Sequence, residues 1–355
     1  MKTKKRSIKV GDVPVGGGSP VSVQSMTKTD TRDAGATLKQ IRALAKAGCE
    51  IIRVAVPDME AATALGTIKK GSPLPVIADI HFDWRLALEA LKQGIDGLRI
   101  NPGNIGGGWK LKEVVLALKD RGVPVRVGVN AGSLEKGLLA KYGRPSPEAL
   151  VESALKEISL LEGLGFDQIK VSLKASNVPT TVEAYRLFSQ RSDYPLHIGI
   201  SEAGPPALGT VKSAVGLGML LSEGIGDTMR VSLTGNPVNE VRVALQILES
   251  LALRQPAVEL VSCPTCGRTT IDIEKLATMA DKKLRGLRLS KPVKVAVMGC
   301  VVNGPGEAKE ADFGITGSKG TGMLFKHGKL LRTVKEEDLL KELVMEISKW
   351  RPEES

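Results

Sequence analysis

Along residues 21–233 two hydrophobic patterns take turns. Short runs rich in Val and Ile predict strands: VSVQ (21–24), IIRVAV (51–56), PVIADIH (75–81), GLRI (97–100), VRVGVN (125–130), QIKVSL (168–173), LHIGIS (196–201) and TMRVSL (228–233). Between them lie stretches with apolar residues at helical intervals, such as ATLKQIRALAKAG (36–48), DWRLALEALKQG (83–94) and SPEALVESALKEISLLEGLG (146–165), and PVNEVRVALQILESLAL (237–253) follows the last strand. Glycines close several of these stretches, as helix C-caps do. Eight β/α units in roughly 250 residues predict a (β/α)8 TIM barrel. A doubly wound sheet would show fewer strands and a glycine-rich turn after the first. Here the first strand runs into QSMTKTDTRD, which contains no glycine.

The rhythm breaks near 254–262, so residues 1–255 are expected to form the barrel and 256–355 a small α+β domain. In the second part a basic helix (273–287), a strand (292–299), a hairpin around His327 and Gly328 (322–334) and a closing helix (336–350) are predicted.

Alternate residues of a strand face the same side. One parity of the barrel strands is Ile, Val, Leu and Ala, suited to packing beneath helices. The other carries Arg53, Asp79, His81, Arg99, Asn101, Arg126, Asn130, Lys170, Lys174, Arg230 and Ser232. That second set would line the barrel axis, with its C-terminal members at the rim where barrel enzymes place their chemistry. A buried cation is costly unless paired. Six cations (Arg53, Arg99, Arg126, Lys170, Lys174, Arg230) against Asp79 and the rim carboxylate Glu202 leave a charge deficit. Arginine forks fit phosphate oxygens, so a phosphorylated substrate is the natural counter-charge. His197 and His327 are expected to be structural or exposed.

Composition narrows the partners. The net charge of +11 permits a polyanion. Aromatic residues at 3% leave few stacking platforms, and the basic residues are dispersed, so nucleic acid is not expected. The most apolar stretch, 214–226, is interrupted by Glu223 and too short to span a bilayer, so no membrane association is expected. No apolar run follows the basic MKTKKRSIKV start, which predicts a cytoplasmic protein with reduced thiols.

Four cysteines in 355 residues do not make a disulfide framework. Cys49, beside Gly48 at a helix end, reads as a buried structural thiol. CPTC places Cys263 and Cys266 three apart, and Cys300 stands in GCVVNGPGE far downstream. A structural zinc site wants four closed ligands and finds three thiols. A redox dithiol would use only the first pair. The spacing ranks an iron–sulfur cluster above zinc, and zinc above an incidental pair. Three thiolates would leave one iron of a cubane open or bound by another group. Glu307, seven residues after Cys300, is a hard donor and a weak, displaceable one.

VQSMTKTDTRD, RVAVP, ADIHFD, LRINPGNIG, GVNAGSLEK, KVSLKAS, EAG, GLGMLLSEGIGDTMRVSL, CPTC and GCVVNGPGEA, in this order over nearly the whole chain, resemble the 4-hydroxy-3-methylbut-2-en-1-yl diphosphate synthase family in its short bacterial form. The resemblance implies a barrel that binds a cyclic diphosphate and a small domain that holds a [4Fe–4S] cluster through Cys263, Cys266, Cys300 and Glu307. It implies reductive ring opening with two electrons from flavodoxin or ferredoxin. It implies phosphate contacts from Arg53, Arg99, Arg126 and Lys174, with Asn130 and Ser232 nearby, Glu202 as catalytic carboxylate, and a head-to-tail homodimer. Ser201 stands where many relatives carry Thr and keeps the hydroxyl. The competing expectation is a phosphate-binding barrel transferase of pterin-synthase type with a structural zinc module.

Overall fold

A computed structural model describes residues 5–106, 108–269, 271–285, 287, 289–300, 308–318 and 320–350. The chain divides into two compact units, one ending at Arg254 and the other beginning at Gln255.

The first unit opens with a hairpin, β1 (Ser7–Val10) and β2 (Val13–Gly16), that lies outside the predicted elements. The barrel strands follow: β3 (Ser22–Met26), β4 (Ile51–Ala55), β5 (Val76–Asp79), β6 (Gly97–Ile100), β7 (Val125–Asn130), β8 (Ile169–Lys174), β9 (His197–Ile198) and β10 (Thr228–Met229). They pair in parallel in the order β8-β7-β6-β5-β4-β3-β10-β9, and a parallel bridge between Val171 and Leu196 closes the ring. The eight predicted strands are the eight observed, although β9 and β10 keep only two paired residues each.

Helices α1 (Ala34–Lys46), α2 (Met59–Gly71), α3 (Trp84–Lys92), α4 (Gly108–Arg121), α5 (Lys136–Tyr142), α6 (Pro147–Glu162), α7 (Val178–Arg191), α8 (Pro206–Ser222) and α9 (Pro237–Ser250) complete the barrel unit. Asp33, Asp58, Asp83, Ser146, Asn177 and Asn236 each accept a backbone N–H at the start of α1, α2, α3, α6, α7 and α9. Each such cap is worth about 1 kcal/mol. They fix where the chain turns from strand to helix, and so the height of each rim loop.

The outward parity of the strands (Ile52, Val54, Val76, Ala78, Leu98, Ile100, Val127, Ile169, Val171) packs with helix residues such as Leu44, Leu65, Val114 and Ile158 in one core. A separate cluster joins hairpin residues Ile8, Val10 and Val15 to the inward-facing Ile51 and Ile77. The hairpin therefore plugs the N-terminal end of the barrel. Gly97 leaves room for it, since a Cβ there would stand 3.0 Å from Ile77 and 3.5 Å from Val10.

The second unit carries the five-stranded sheet β11 (Val258–Ser262), β12 (Val293–Met298), β13 (Phe313–Ser318), β14 (Thr321–Lys326) and β15 (Lys329–Lys335), in sequential order. The first three strands run parallel and the last two antiparallel. Strands β11 and β13 were not predicted. Helices α10 (Ile273–Leu284) and α11 (Leu339–Ser348) cover it, joining Ala280, Leu284, Leu339, Leu343 and Ile347 to Val293, Val295, Ile315 and Leu324 in one core. The predicted hairpin turn is present, with His327 and Gly328 both at positive φ, the pairing that suits a two-residue turn. Among the described residues no helix is long and apolar enough to cross a membrane.

Candidate active site

The inward parity above the apolar plug is buried and charged. Arg53, Asp79, Arg99, Arg126, Lys170 and Lys174 are all at or below 9% exposure, and the Arg230 side chain is 13% exposed. Asp79, the last residue of β5, is the hub. It faces Arg99 on β6 at 3.1 Å, Arg53 on β4 at 3.4 Å and His81 at 3.6 Å. Burial pushes its carboxyl up, but Arg53, Arg99 and Arg126 together override that and hold it at about 2. Arg99 also contacts the His81 ring, at 2.8 Å from Nε2. Burial, then Arg99, lowers the His81 pKa, so the ring is neutral at pH 7.

Among the described residues Arg126 has one side-chain partner, the Ser172 hydroxyl at 3.3 Å, and neither its Nε nor Lys170 Nζ has one. Burial, then Arg126 and Arg53, pulls Lys170 down to about 7, and burial, then Arg126, pulls Lys174 well below its ordinary value. A guanidinium holds its proton throughout this range. For Arg126, pressed down by burial and by Arg53 and Arg99, the pressure is an electrostatic cost rather than a lost charge.

Two glycines make this crowding feasible. A Cβ on Gly128 would stand 2.7 Å from Arg99 Nε, and one on Gly199 would stand 2.7 Å from Lys174 Nζ.

Arg230 has a carboxylate partner that the sequence count of Asp79 and Glu202 did not include. Glu240, from the first turn of α9 and 1% exposed, reaches Arg230 at 3.4 Å and Lys28 at 3.0 Å, and it accepts the Leu233 N–H at 3.1 Å. Met26 Sδ lies 3.0 Å from Arg53 Nη2 and 3.7 Å from Arg230 Nη1, a soft acceptor between two guanidinium groups. Neither Glu240 nor Met26 was among the candidates. His197 is fully buried, and among the described residues neither ring nitrogen has a partner. Burial and the charge of Lys174 drive its pKa well down.

The remaining candidates stand around the same rim, half-buried or exposed. Asn101 follows β6, Asn130 ends β7 opposite Lys174 of β8, and Ser232 follows β10. Glu202 follows β9, is exposed, and has φ of 52°, a left-handed conformation that side chains other than glycine rarely hold.

In the second unit, parallel pairing sets the end of β11 beside the end of β12. Cys263 follows β11 and Cys300 follows β12, and with Cys266 they line a single pocket of about 110 Å³. The Gly299 N–H donates to Cys263 Sγ at 3.1 Å. A Cβ on Gly299 would come within 3.4 Å of that sulfur and 2.9 Å of Thr269. The Arg268 backbone N–H and the Thr269 hydroxyl lower the Cys266 pKa, which favours the thiolate. Among the described residues no three His, Cys, Asp or Glu side chains converge on one ion. Three thiols around one pocket are the soft donors that an iron–sulfur group takes, each on a separate iron. Glu307 lies outside the described residues. Cys49 is buried against the Ile51 carbonyl at 3.2 Å, and burial pushes its thiol up to about 12, the behaviour of an inert core residue.

A closed eight-stranded barrel with a cationic interior, in one chain with a thiol-lined module, defines a barrel enzyme built for an anionic substrate and a soft-metal group. Residues 5–245 match the GcpE TIM-barrel domain family and residues 259–349 the GcpE protein C-terminal domain family. The chain is 64% identical over 349 residues to the 4-hydroxy-3-methylbut-2-en-1-yl diphosphate synthase (flavodoxin) of Geobacter sulfurreducens, covering 98% of each chain. It is 60% identical over 348 residues to the protein of the same name from Thermodesulfovibrio yellowstonii, covering 98% of this chain and 99% of that one. The chain belongs to this synthase family. The solved Yersinia pestis dihydropteroate synthase superposes with a TM-score of 0.51 at 12% identity, over 69% of this chain and 97% of its own. That likeness shows the barrel fold alone, so the pterin-synthase expectation is not carried forward.

Proposed function

We propose that this chain converts 2-C-methyl-D-erythritol 2,4-cyclodiphosphate to 4-hydroxy-3-methylbut-2-enyl diphosphate, taking two electrons from reduced flavodoxin or a ferredoxin. The observation that carries the reading is the charge deficit of the barrel: four arginines that keep their charge, with Lys170 and Lys174 beside them, against Asp79 and Glu240 among the described interior residues. The reaction takes a dianionic ring, two electrons and one proton to a trianionic linear diphosphate and water. Negative charge therefore grows on the phosphate oxygen released when the ring C–O bond breaks. Preset cations stabilise that growth without reorganising.

In this reading Arg53, Arg99, Arg126 and Lys174 grip the diphosphate. Asp79 holds Arg53 and Arg99 in place. His81, Asn101, Asn130 and Ser232 orient the carbon skeleton and its hydroxyls, and Glu202 delivers or positions the proton that leaves as water. Cys263, Cys266, Cys300 and Glu307 would hold a [4Fe–4S] cluster, which would relay the reductant's electrons and offer a Lewis-acidic iron. The resemblance also supports a cytoplasmic homodimer in which the cluster module of one chain serves the barrel of its partner.

The test is anaerobic purification or reconstitution, iron and sulfide assay, and turnover of the cyclic diphosphate with reduced flavodoxin. Four irons and four sulfides per chain with formation of the linear diphosphate are expected. Cys263→Ser should lose most of the iron and all turnover. Iron-free wild-type protein after reconstitution, or loaded protein without conversion, overturns the reading.

A further inference from the structure

Glu157 projects from the buried face of α6 and is only 2% exposed. It serves the turn that follows β6. Its Oε2 accepts the Gly103 N–H at 2.6 Å. The Asn101 amide, oriented so that neither end faces a like group, donates to Oε1 at 2.8 Å and Oε2 at 3.0 Å. In that orientation the Asn101 oxygen faces hydrogen-bond donors. A Cβ on Gly103 would stand 2.5 Å from Oε1, so glycine at this position lets the carboxylate reach the backbone.

A carboxylate buried on a helix facing a rim loop is expensive and needs a return. Its structural return here is one backbone N–H and one amide, both from a single four-residue turn. We infer that Glu157 is a positioning residue: by holding Gly103 and the Asn101 amide nitrogen it fixes the 101–104 turn and presents the Asn101 oxygen as an acceptor for a substrate hydroxyl. The inference rests on the reading of Asn101 as a substrate contact. Only the ionised carboxylate accepts both bonds. Burial raises its pKa to about 7, the Gly103 N–H opposes this, Glu135 adds to it, and Lys156 on the same helix lowers it. Glu135 is held by the Ser153 hydroxyl at 2.8 Å and by Lys156 at 3.8 Å. Protonation of Glu157 would turn one of its oxygens into a donor, so the Asn101 amide would have to reverse to keep the contact and would then present its nitrogen in place of its oxygen.

The experiment uses the cluster-loaded enzyme with the cyclic diphosphate and a dye-coupled reductant. Four proteins are compared: wild type, Glu157→Gln, Asn101→Ala and the double variant. Glu157→Gln copies the protonated carboxyl in shape and is the variant that should fold. Expected are a KM raised about tenfold with kcat changed less than threefold, unchanged iron content, and a kcat/KM that no longer falls below pH 7 as the wild type's does. Because Glu157 acts through Asn101, the double variant should lose no more kcat/KM than Asn101→Ala alone. A wild-type KM in Glu157→Gln, or losses that multiply in the double variant, overturns the inference while leaving Asn101 in the site. A wild-type KM in Asn101→Ala overturns both the inference and the role given to Asn101, and leaves the reaction assignment standing.

Discussion

Replacing Asp79 by Asn would remove one negative charge from between two buried arginines while keeping the shape. Its size follows from the site. The carboxyl sits at about 2 against an ordinary 3.8, a difference that corresponds to about 2–3 kcal/mol of stabilisation at pH 7. Breaking one member of a buried ion pair costs about 3–5 kcal/mol in general, and here Arg53 and Arg99 both lose the same partner. A loss of about 3 kcal/mol is expected for the cluster-free, anion-free chain. For a domain of this size that is about 6–12 °C in Tm. The sign with pH is fixed by the depressed pKa. The stabilisation is complete above about pH 4 and disappears as pH falls through about 2. Urea unfolding followed by far-ultraviolet circular dichroism, in phosphate-free buffer between pH 7 and pH 2.5, checks both points. Inorganic pyrophosphate should rescue Asp79→Asn by more than it stabilises the wild type, since it replaces the missing charge. An Asp79→Asn protein as stable as the wild type at pH 7 would refute the claim that the arginines depend on this carboxylate.

Two further outcomes test the same electrostatics. Gly128→Ala puts a methyl 2.7 Å from Arg99 Nε; a KM for the cyclic diphosphate raised about tenfold, or about 1.4 kcal/mol, with unchanged iron content is expected, and an unchanged KM would place Arg99 outside the binding surface. Lys170, held at about 7 against 10.5, is charged in the unfolded chain but not in the folded one between those values, so cluster-free stability should rise with pH from about 7 to 10.5. Lys170→Met should flatten that rise and stabilise the chain at pH 7 by up to about 4 kcal/mol, and an unchanged urea midpoint at pH 7 would show that the ammonium is already compensated.

Period-two alternation made the cations of β4, β6, β7 and β8 legible, because a strand reports the side of each residue directly. Arg53, Arg99, Arg126, Lys170 and Lys174 are buried inside the barrel, including Lys170, which sits deep along its strand. The carboxylates that answer the rim from outside the strands were not legible in that way. Glu240 and Glu157 arrive from helices, where reading residues one strand at a time does not look. A signal existed all the same. Glu240 shares its helix face with Val241, Ala244, Ile247 and Leu248, and Glu157 shares its own with Leu150, Ala154, Ile158 and Leu161. An acid inside an apolar helical stripe is a buried acid, and a buried acid has a partner. The N-terminal hairpin left a weaker trace. Its strands stand outside the β/α alternation that marked the others, and the packing of Val10 and Val15 against Ile51 and Ile77 gives them a role.

The distribution of the carboxylates also decides where the deficit lies. Asp79 answers Arg53 of β4 and Arg99 of β6, while Glu240 answers Arg230, just beyond β10. Among the described residues no carboxylate comes within ion-pair distance of the cations of β7 and β8, and Asp79 acts on Arg126 only from further away. Arg126 has a serine hydroxyl, and Lys170 and Arg126 Nε have no partner at all among the described residues. The chain had the means to neutralise this side, since α6 already sends Glu157 inward at the neighbouring rim, yet that carboxylate is spent on Asn101 and Gly103 rather than on a cation. An uncompensated guanidinium in a closed barrel lowers apo stability and is retained only where an incoming anion restores the balance. Under the proposed reaction the diphosphate compensates the cations of β7 and β8 from between two flanking sets, Asp79 and His81 after β5 on one side and Glu202 after β9 on the other, which provide hydrogen-bonding groups instead of charge to be neutralised.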